Sequence, residues 1–343
     1  QRQMCIRDRY ISFGLVITIA CLLIMNVPAS AYDVSRNSIN NVNQSIVQQF
    51  DVVSLDTLTG FETVKEYDTS VTSYAMSCGV TELSTPAHMG TDAISDTIDS
   101  SSMEISTMGI VGDDNRKRVY SPQKSFPYRA ICRIVSYWDR NNDGVIDNIV
   151  GVGTGFLEGP SAVVTAGHCI YDSEKKMWCK YATVTFAQDG PNSAPYGTIR
   201  STTIHTSSAW INNGDSNQDW AVVEIGTDIG NKTGWFGKLW TADSLNNTNI
   251  TVAGYSGDLA SSKNDSSMQR MGKYMWYCNG SIINSLPAKL EYNADTWSGN
   301  SGGPVYNSSC QVLAIHTYGV GSSKNGGTRI TEWLYNFLVQ FQE

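Results

Sequence analysis

From Tyr128 onward the chain is written in short apolar runs of strand length. YRAICRIVSYW (128–138), VGVGTGFLEG (150–159), SAVVTAGHCIY (161–171), YATVTFA (181–187) and WAVVEIG (220–226) alternate with loops rich in Gly, Ser, Asn and Asp. Runs of this length, alternating or continuous and broken by turn residues, predict the strands of a barrel or sandwich. The last stretch, TEWLYNFLVQFQE, has another period: Leu334, Phe337, Leu338 and Phe341 share one helical face, which predicts a C-terminal helix packed along that stripe. Residues 32–108 show little periodicity. At the start, Arg2, Arg7 and Arg9 precede an apolar run from Ile11 to Val27, and Ala29 and Ala31 form a small-residue cleavage pattern. A secretory signal peptide over 1–31 is predicted, with the opening QRQMCIRDR outside the fold; a membrane anchor is the alternative use of the same run.

With 41% apolar and 16% charged residues in 343, and 30 glycines, the chain has the composition of a globular protein with many turns. Its net charge of −8 is unevenly spread. Residues 32–108 hold 2 basic and 11 acidic side chains, whereas 109–343 hold 19 and 20. This break predicts an acidic prosegment over 32–108 followed by a near-neutral mature domain. No basic patch suggests a nucleic-acid partner, and none suggests a membrane once the signal is removed.

Three words carry the chemistry. TAGHC places His168 after a strand-like run among small residues, QDWAVVEI places Asp219 at the entry of an apolar strand, and GNSGGP surrounds Ser301 with Gly299, Gly302 and Gly303. A serine hydroxyl is a poor nucleophile near neutral pH. It needs an adjacent base, and the base needs a partner that fixes its tautomer and stabilises its cation. Glycines around the serine let the backbone turn sharply and aim N–H groups at one point. Any one of these words is weak; the order His, Asp, Ser, at intervals of 51 and 82 residues, is not.

Together these words resemble the chymotrypsin-fold serine proteases. GIVGDDNRKRV, FPYRAI, TAGHCIYD, PYGTI, ADTWSGNSGGPVY, AIHTYGVGSS and GTRIT narrow the resemblance to the bacterial glutamyl endopeptidases, secreted enzymes that cut after acidic residues. The resemblance runs from about Gly109 to the C-terminus. It implies two six-stranded antiparallel Greek-key barrels, the first over 109–226 and the second, with the C-terminal helix, over 227–343. It also implies a Ser301, His168, Asp219 triad, an oxyanion hole from the amides of Gly299 and Ser301, and release of a monomeric, extracellular enzyme. The prosegment would act as inhibitor or chaperone, and Glu104 is a candidate processing residue. Substrates would be proteins or peptides bearing acidic residues.

Three residues bear on where such an enzyme cuts. Asp295, six residues before Ser301, stands where trypsin-like enzymes carry the aspartate that binds Lys or Arg, so a trypsin-like specificity is the competing expectation. His316 is one of only four histidines and lies fifteen residues after Ser301, where the resembling family carries a histidine that contacts the substrate carboxylate. Thr296 matches a hydroxyl residue of the opposite wall. Both offer donors suited to an anion. Asn300 replaces the aspartate that precedes the nucleophile in animal digestive proteases, so activation uses another arrangement. A non-catalytic binding module on the same fold is the other alternative, against which the intact triad and GNSGGP stand.

Five cysteines fall after Gly109, an odd number for a secreted domain. Cys169 and Cys179 bracket a short loop and are the first expected disulfide; Cys278 with Cys310 is the second. In DRNNDGVID, residues Asp139, Asn141, Asp143 and Asp147 have the early spacing of a calcium loop, but Val150 replaces the closing glutamate. The same residues make an ordinary hairpin turn. Calcium is therefore an optional ligand, and no cofactor is required.

Overall fold

The computed structural model describes residues 51–66, 81–92, 109–148, 150–320 and 323–342. The chain divides into two units, Gln1–Val47 and Gln48–Glu343, and the described residues belong to the second. The signal-peptide stretch and Glu104 lie outside them. Among the described residues no helix is long and apolar enough to cross a membrane.

In chain order the strands are β1 (Val52–Asp56), β2 (Glu62–Lys65), β3 (Glu82–Thr85), β4 (Lys117–Arg118), β5 (Ile131–Tyr137), β6 (Gly151–Leu157), β7 (Ala162–Thr165), β8 (Tyr171–Asp172), β9 (Met177–Trp178) and β10 (Tyr181–Phe186). They continue as β11 (Ile199–Arg200), β12 (Thr203–Ser207), β13 (Ala221–Glu224), β14 (Gly237–Thr241), β15 (Asn249–Gly254), β16 (Trp276–Ser285), β17 (Lys289–Tyr292), β18 (Pro304–Tyr306), β19 (Gln311–Val320) and β20 (Lys324–Arg329). The five strand runs read from the sequence become β5, β6, β7, β10 and β13. In β5 and β10 alternate side chains point inward, Cys132, Ile134 and Ser136 from one and Ala182, Val184 and Phe186 from the other.

The first barrel runs in the order β10, β5, β6, β7, β13, β12. It closes because residues 199–207 change partners midway: β11 pairs with β10 and β12 with β13. The switch falls at Ser201, whose N–H donates to Ala182 O (2.9 Å), and Thr202, whose N–H donates to Glu224 O (2.8 Å). The second barrel runs β15, β16, β17, β20, β19, β18, and β18 pairs back onto β15. The predicted architecture of two antiparallel barrels is what the strands form.

The predicted helix is Glu332–Val339, capped by Thr331, whose Oγ1 accepts from Leu334 N–H (3.2 Å). Leu334, Phe337 and Leu338 are buried, and Trp333 and Phe337 pack on Trp220 at ring-centroid distances of 5.5 and 5.2 Å. Beside the helix, Lys238 of β14 donates to Glu158, which follows β6; both are fully buried, and Gln342 also donates to Glu158 Oε1 (3.1 Å). Burial pushes the Glu158 carboxyl up to about 7, even with Lys238 opposing it.

Two sequence readings differ from the structure. Among its described residues the acidic segment, which shows little periodicity, carries three strands: β1 pairs with β12 and with β2, and β3 with β14. All five cysteines after Gly109 are free thiols, so neither Cys169 with Cys179 nor Cys278 with Cys310 is bonded. Cys169 Sγ faces Ser301 O (3.6 Å) and Cys278 Sγ faces Asp295 Oδ2 (3.8 Å), while Cys310 sits with a φ of 55° in the turn between β18 and β19.

The DRNNDGVID stretch forms a turn tied by its own side chains. Asp139 accepts from the N–H groups of Asp143 (3.0 Å) and Gly144 (3.1 Å) and lies 3.4 Å from Lys180 Nζ. Asn141 Nδ2 donates to Asp143 Oδ2 (2.8 Å), and Asp147 pairs with Arg140 (2.9 Å). These side chains are held by one another, by the turn's own backbone and by Lys180. Among the described residues no group of three or more His, Cys, Asp or Glu side chains could hold a metal.

A buried pair is costly to break from one side only. Lys238→Met is expected to lower unfolding stability by about 3–5 kcal/mol in a denaturant titration, and adding Glu158→Gln to recover part of it. No loss in the single variant would show that the pair does not hold the helix and barrels together.

Candidate active site

His168 lies in the short turn Gly167–Cys169 that follows β7, and Asp219 lies just before β13. β7 and β13 are antiparallel neighbours, so the two residues meet at one end of the sheet. Asp219 is 6% exposed and holds His168 twice: Oδ1 accepts from the backbone N–H (2.9 Å) and Oδ2 lies 2.8 Å from Nδ1. The glycine of TAGHC has a steric reason. A Cβ at Gly167 would stand 3.1 Å from both Asp219 Oδ1 and the Trp210 ring.

Ser301 comes from the second barrel, and its turn is fixed by the first. Thr154 of β6 donates its N–H to Ser301 O (2.8 Å) and its Oγ1 to Gly299 O (2.7 Å). The turn needs its glycines: at Gly299, φ is +100° and a Cβ would meet Tyr255 O at 2.4 Å, while at Gly302, φ is +86° and a Cβ would meet Thr154 O at 2.1 Å. The amides of Gly299 and Ser301 donate to no protein acceptor among the described residues. Asn300 is buried, and its Oδ1 accepts from Ser256 Oγ (2.5 Å). No hydrogen bond joins Ser301 Oγ to His168; such bonds commonly tighten only when substrate is bound.

His316 is brought to the same place. On β19 its carbonyl accepts from Gly302 N–H (2.7 Å) and its N–H donates to Gly303 O (2.9 Å). The ring is 4% exposed, and Nδ1 lies 2.6 Å from Tyr292 Oη. Burial, with the charge of nearby His168 adding to it, pushes His316 down to about 3, so its ring is neutral at ordinary pH. For His168 burial also works against the cation, but the Asp219 carboxylate, helped by the Cys169 sulfur, outweighs it. The result lies well above the usual imidazole value. Thr296, 2% exposed, precedes the Ser301 turn, and its N–H donates to Gly109 O (3.1 Å).

Asp295 does not serve as a free anion. It is 2% exposed, with Oδ1 accepting from Val111 N–H (2.6 Å) and Oδ2 from Asn115 N–H (2.7 Å). Both oxygens hold the segment that follows Gly109. Sequence reasoning missed three contributors: Thr154, Tyr292, and Thr328, whose Oγ1 donates to Asp219 O (3.1 Å) across the barrels. The one available signal was the pair Gly326 and Gly327, which β-pairs with Tyr318 and His316 and leaves room on that strand. Of the sequence-predicted residues, only Asp139, Asn141, Asp143 and Asp147 belong to a separate feature, the hairpin turn.

Comparison with known proteins agrees with this geometry. A family model described as a trypsin-like peptidase domain matches residues 153–315. A protein named glutamyl endopeptidase from Bacillus licheniformis is 36% identical over 247 residues, covering 69% of this chain and 70% of that one. One named extracellular metalloprotease from Bacillus subtilis is 29% identical over 327 residues, covering 94% of this chain and 92% of that one. That name belongs to the relative; the groups gathered here are a serine, a histidine and an aspartate. A solved structure titled Glu endopeptidase in complex with MPD has a TM-score of 0.56 and 28% identity, covering 67% of this chain and 98% of that one. The protease Anisep from Arthrobacter nicotinovorans, at TM-score 0.50 and 20% identity, shares the fold.

A base must be neutral to accept a proton, so activity should rise as pH climbs through the raised value of His168. The acid limb of kcat/KM is expected above pH ~6.5, the unperturbed imidazole value. Asp219→Asn should lower kcat by about 10⁴-fold. A limb at or below the ordinary value in the unmodified protein would contradict the Asp219 contribution.

Proposed function

The chain belongs to the glutamyl endopeptidase family of chymotrypsin-fold serine endopeptidases, and on that premise we propose that it is secreted and cuts peptide bonds on the carboxyl side of Glu, less readily of Asp. Ser301 attacks the scissile carbonyl while His168 takes its proton, and Asp219 keeps the imidazole in the required tautomer and stabilises its cation. The amides of Gly299 and Ser301 donate to the oxyanion, each such donor being worth about 2.7–4 kcal/mol. His168 then protonates the leaving amine, and water enters by the reverse path to release the acyl group.

The observation that carries the specificity is the buried, neutral His316 beside the Ser301 turn with Nδ1 against Tyr292 Oη. In the tautomer where Nδ1 accepts from the Tyr292 hydroxyl, the ring carries its proton on Nε2, and that N–H, with the Thr296 hydroxyl, is the donor to the substrate carboxylate. Asp295 supports the same reading: its carboxylate is engaged by two backbone amides and offers no counter-charge to a Lys or Arg side chain. Residues 32–108 are the prosegment and a partner in folding, and cleavage ahead of Gly109 separates them from the enzyme's own chain.

A hydrogen bond to a charged group contributes about 1.5–3 kcal/mol, roughly 10- to 150-fold. Peptides differing only in the residue before the scissile bond should be cut with kcat/KM highest for Glu. His316→Val should lose that factor for Glu, with Ser301 still labelled by a small fluorophosphonate. Ser301→Ala should abolish cutting. Preference for Lys or Arg would assign the trypsin-like specificity, and cutting by Ser301→Ala would exclude the mechanism.

A further inference from the structure

Residues 51–66 and 81–92 are joined to the barrels as edge strands, the first segment to the first barrel's sheet and the second to the other. β12 is bonded to β13 on one side, and β1 fills its other side through five residue pairs, Val52 with Ser207 to Asp56 with Thr203. β14 touches β19 only through Gly237 and Lys238, and β3 fills its other edge through four pairs. Open strand edges are the places where another segment adds to a sheet. The addition is also apolar: Val52, Val53 and Leu55 are 3–6% exposed and belong to the main core cluster.

After β3 the chain is clamped again. The His88 ring stacks on Trp235 at 3.9 Å and 9°, and the two residues exchange backbone hydrogen bonds, each 2.9 Å. Arg129, fully buried, donates to Met89 O, and Tyr196 Oη donates to Asp92 Oδ2 (2.6 Å). None of these contacts reaches the catalytic groups. Among the described residues no hydrogen bond joins 51–66 or 81–92 to His168, Ser301 or His316, and the His168 side chain keeps 37% of its exposure with the segment docked.

We propose that the segment bearing β1, β2 and β3 remains as a second, noncovalent chain of the working enzyme: after the link between Asp92 and Gly109 is cut, residues 51–66 and 81–92 stay docked on the barrels and leave the Ser301 site competent. The segment is a strut and not a plug. The inference rests on the reading of 109–343 as the enzyme, but its test does not depend on where that enzyme cuts.

The full chain is made with a cleavage site for an unrelated sequence-specific endopeptidase inserted between Asp92 and Gly109. In the Ser301→Ala background, the cut protein should run as one species in native size-exclusion chromatography and separate in denaturant. His88→Ala, which removes the stack without altering the enzyme's own chain, should speed fragment release roughly 2- to 12-fold, the range for an aromatic pair. With Ser301 intact, a small fluorophosphonate should label the two-chain species while the fragment is still bound. Separate elution of the fragment from the cut Ser301→Ala protein would overturn the proposal. So would labelling confined to protein that has lost the fragment.

Discussion

Thr154 sits where the two barrels must agree. Its amide and hydroxyl donate to Ser301 O and Gly299 O, its hydroxyl accepts from Tyr255 N–H (3.0 Å), and its carbonyl accepts from Thr165 Oγ1 (2.7 Å). A residue of the first barrel thus fixes the nucleophile turn of the second, and Thr328 of the second barrel fixes Asp219 of the first. Without this register the base and the nucleophile, which come from separate sheets, would have no reason to meet. The glycines of GNSGGP are the steric counterpart, because Thr154 O occupies the space a side chain at Gly302 would need.

Two histidines in one site are driven in opposite directions by one physics. Burial disfavours the cation of each. Asp219 reverses that for His168, whereas His316 faces a tyrosine hydroxyl and the charge of His168, so its ring stays neutral. The first can accept a proton; the second can act as a fixed dipole with one N–H to offer. Asp295 is held in a comparable way, both of its carboxylate oxygens accepting from backbone amides, those of Val111 and Asn115.

The strand runs and the C-terminal stripe were legible because their periodicity is local, and the His168–Asp219 contact and the glycine turn around Ser301 because their words have steric and chemical reasons. What escaped depends on distant partners. β1 and β3 have no pattern of their own to display; their pairing partners β12 and β14 lie more than a hundred residues away. Tyr292 could not be tied to His316 before β17 and β19 were known to flank β20. The expected cysteine pairs are unbonded for a related reason: spacing along the chain states which groups could meet, while the fold decides which do.

The central claim, that His316 receives the substrate carboxylate, is tested most directly by a crystal structure of the mature enzyme with Ser301 phosphonylated by an analogue bearing a glutamate-like side chain. The account predicts the carboxylate within hydrogen-bond distance of His316 Nε2 and Thr296 Oγ1, with Tyr292 still bonded to Nδ1. A carboxylate lodged elsewhere, with His316 remaining packed in the core, would contradict it.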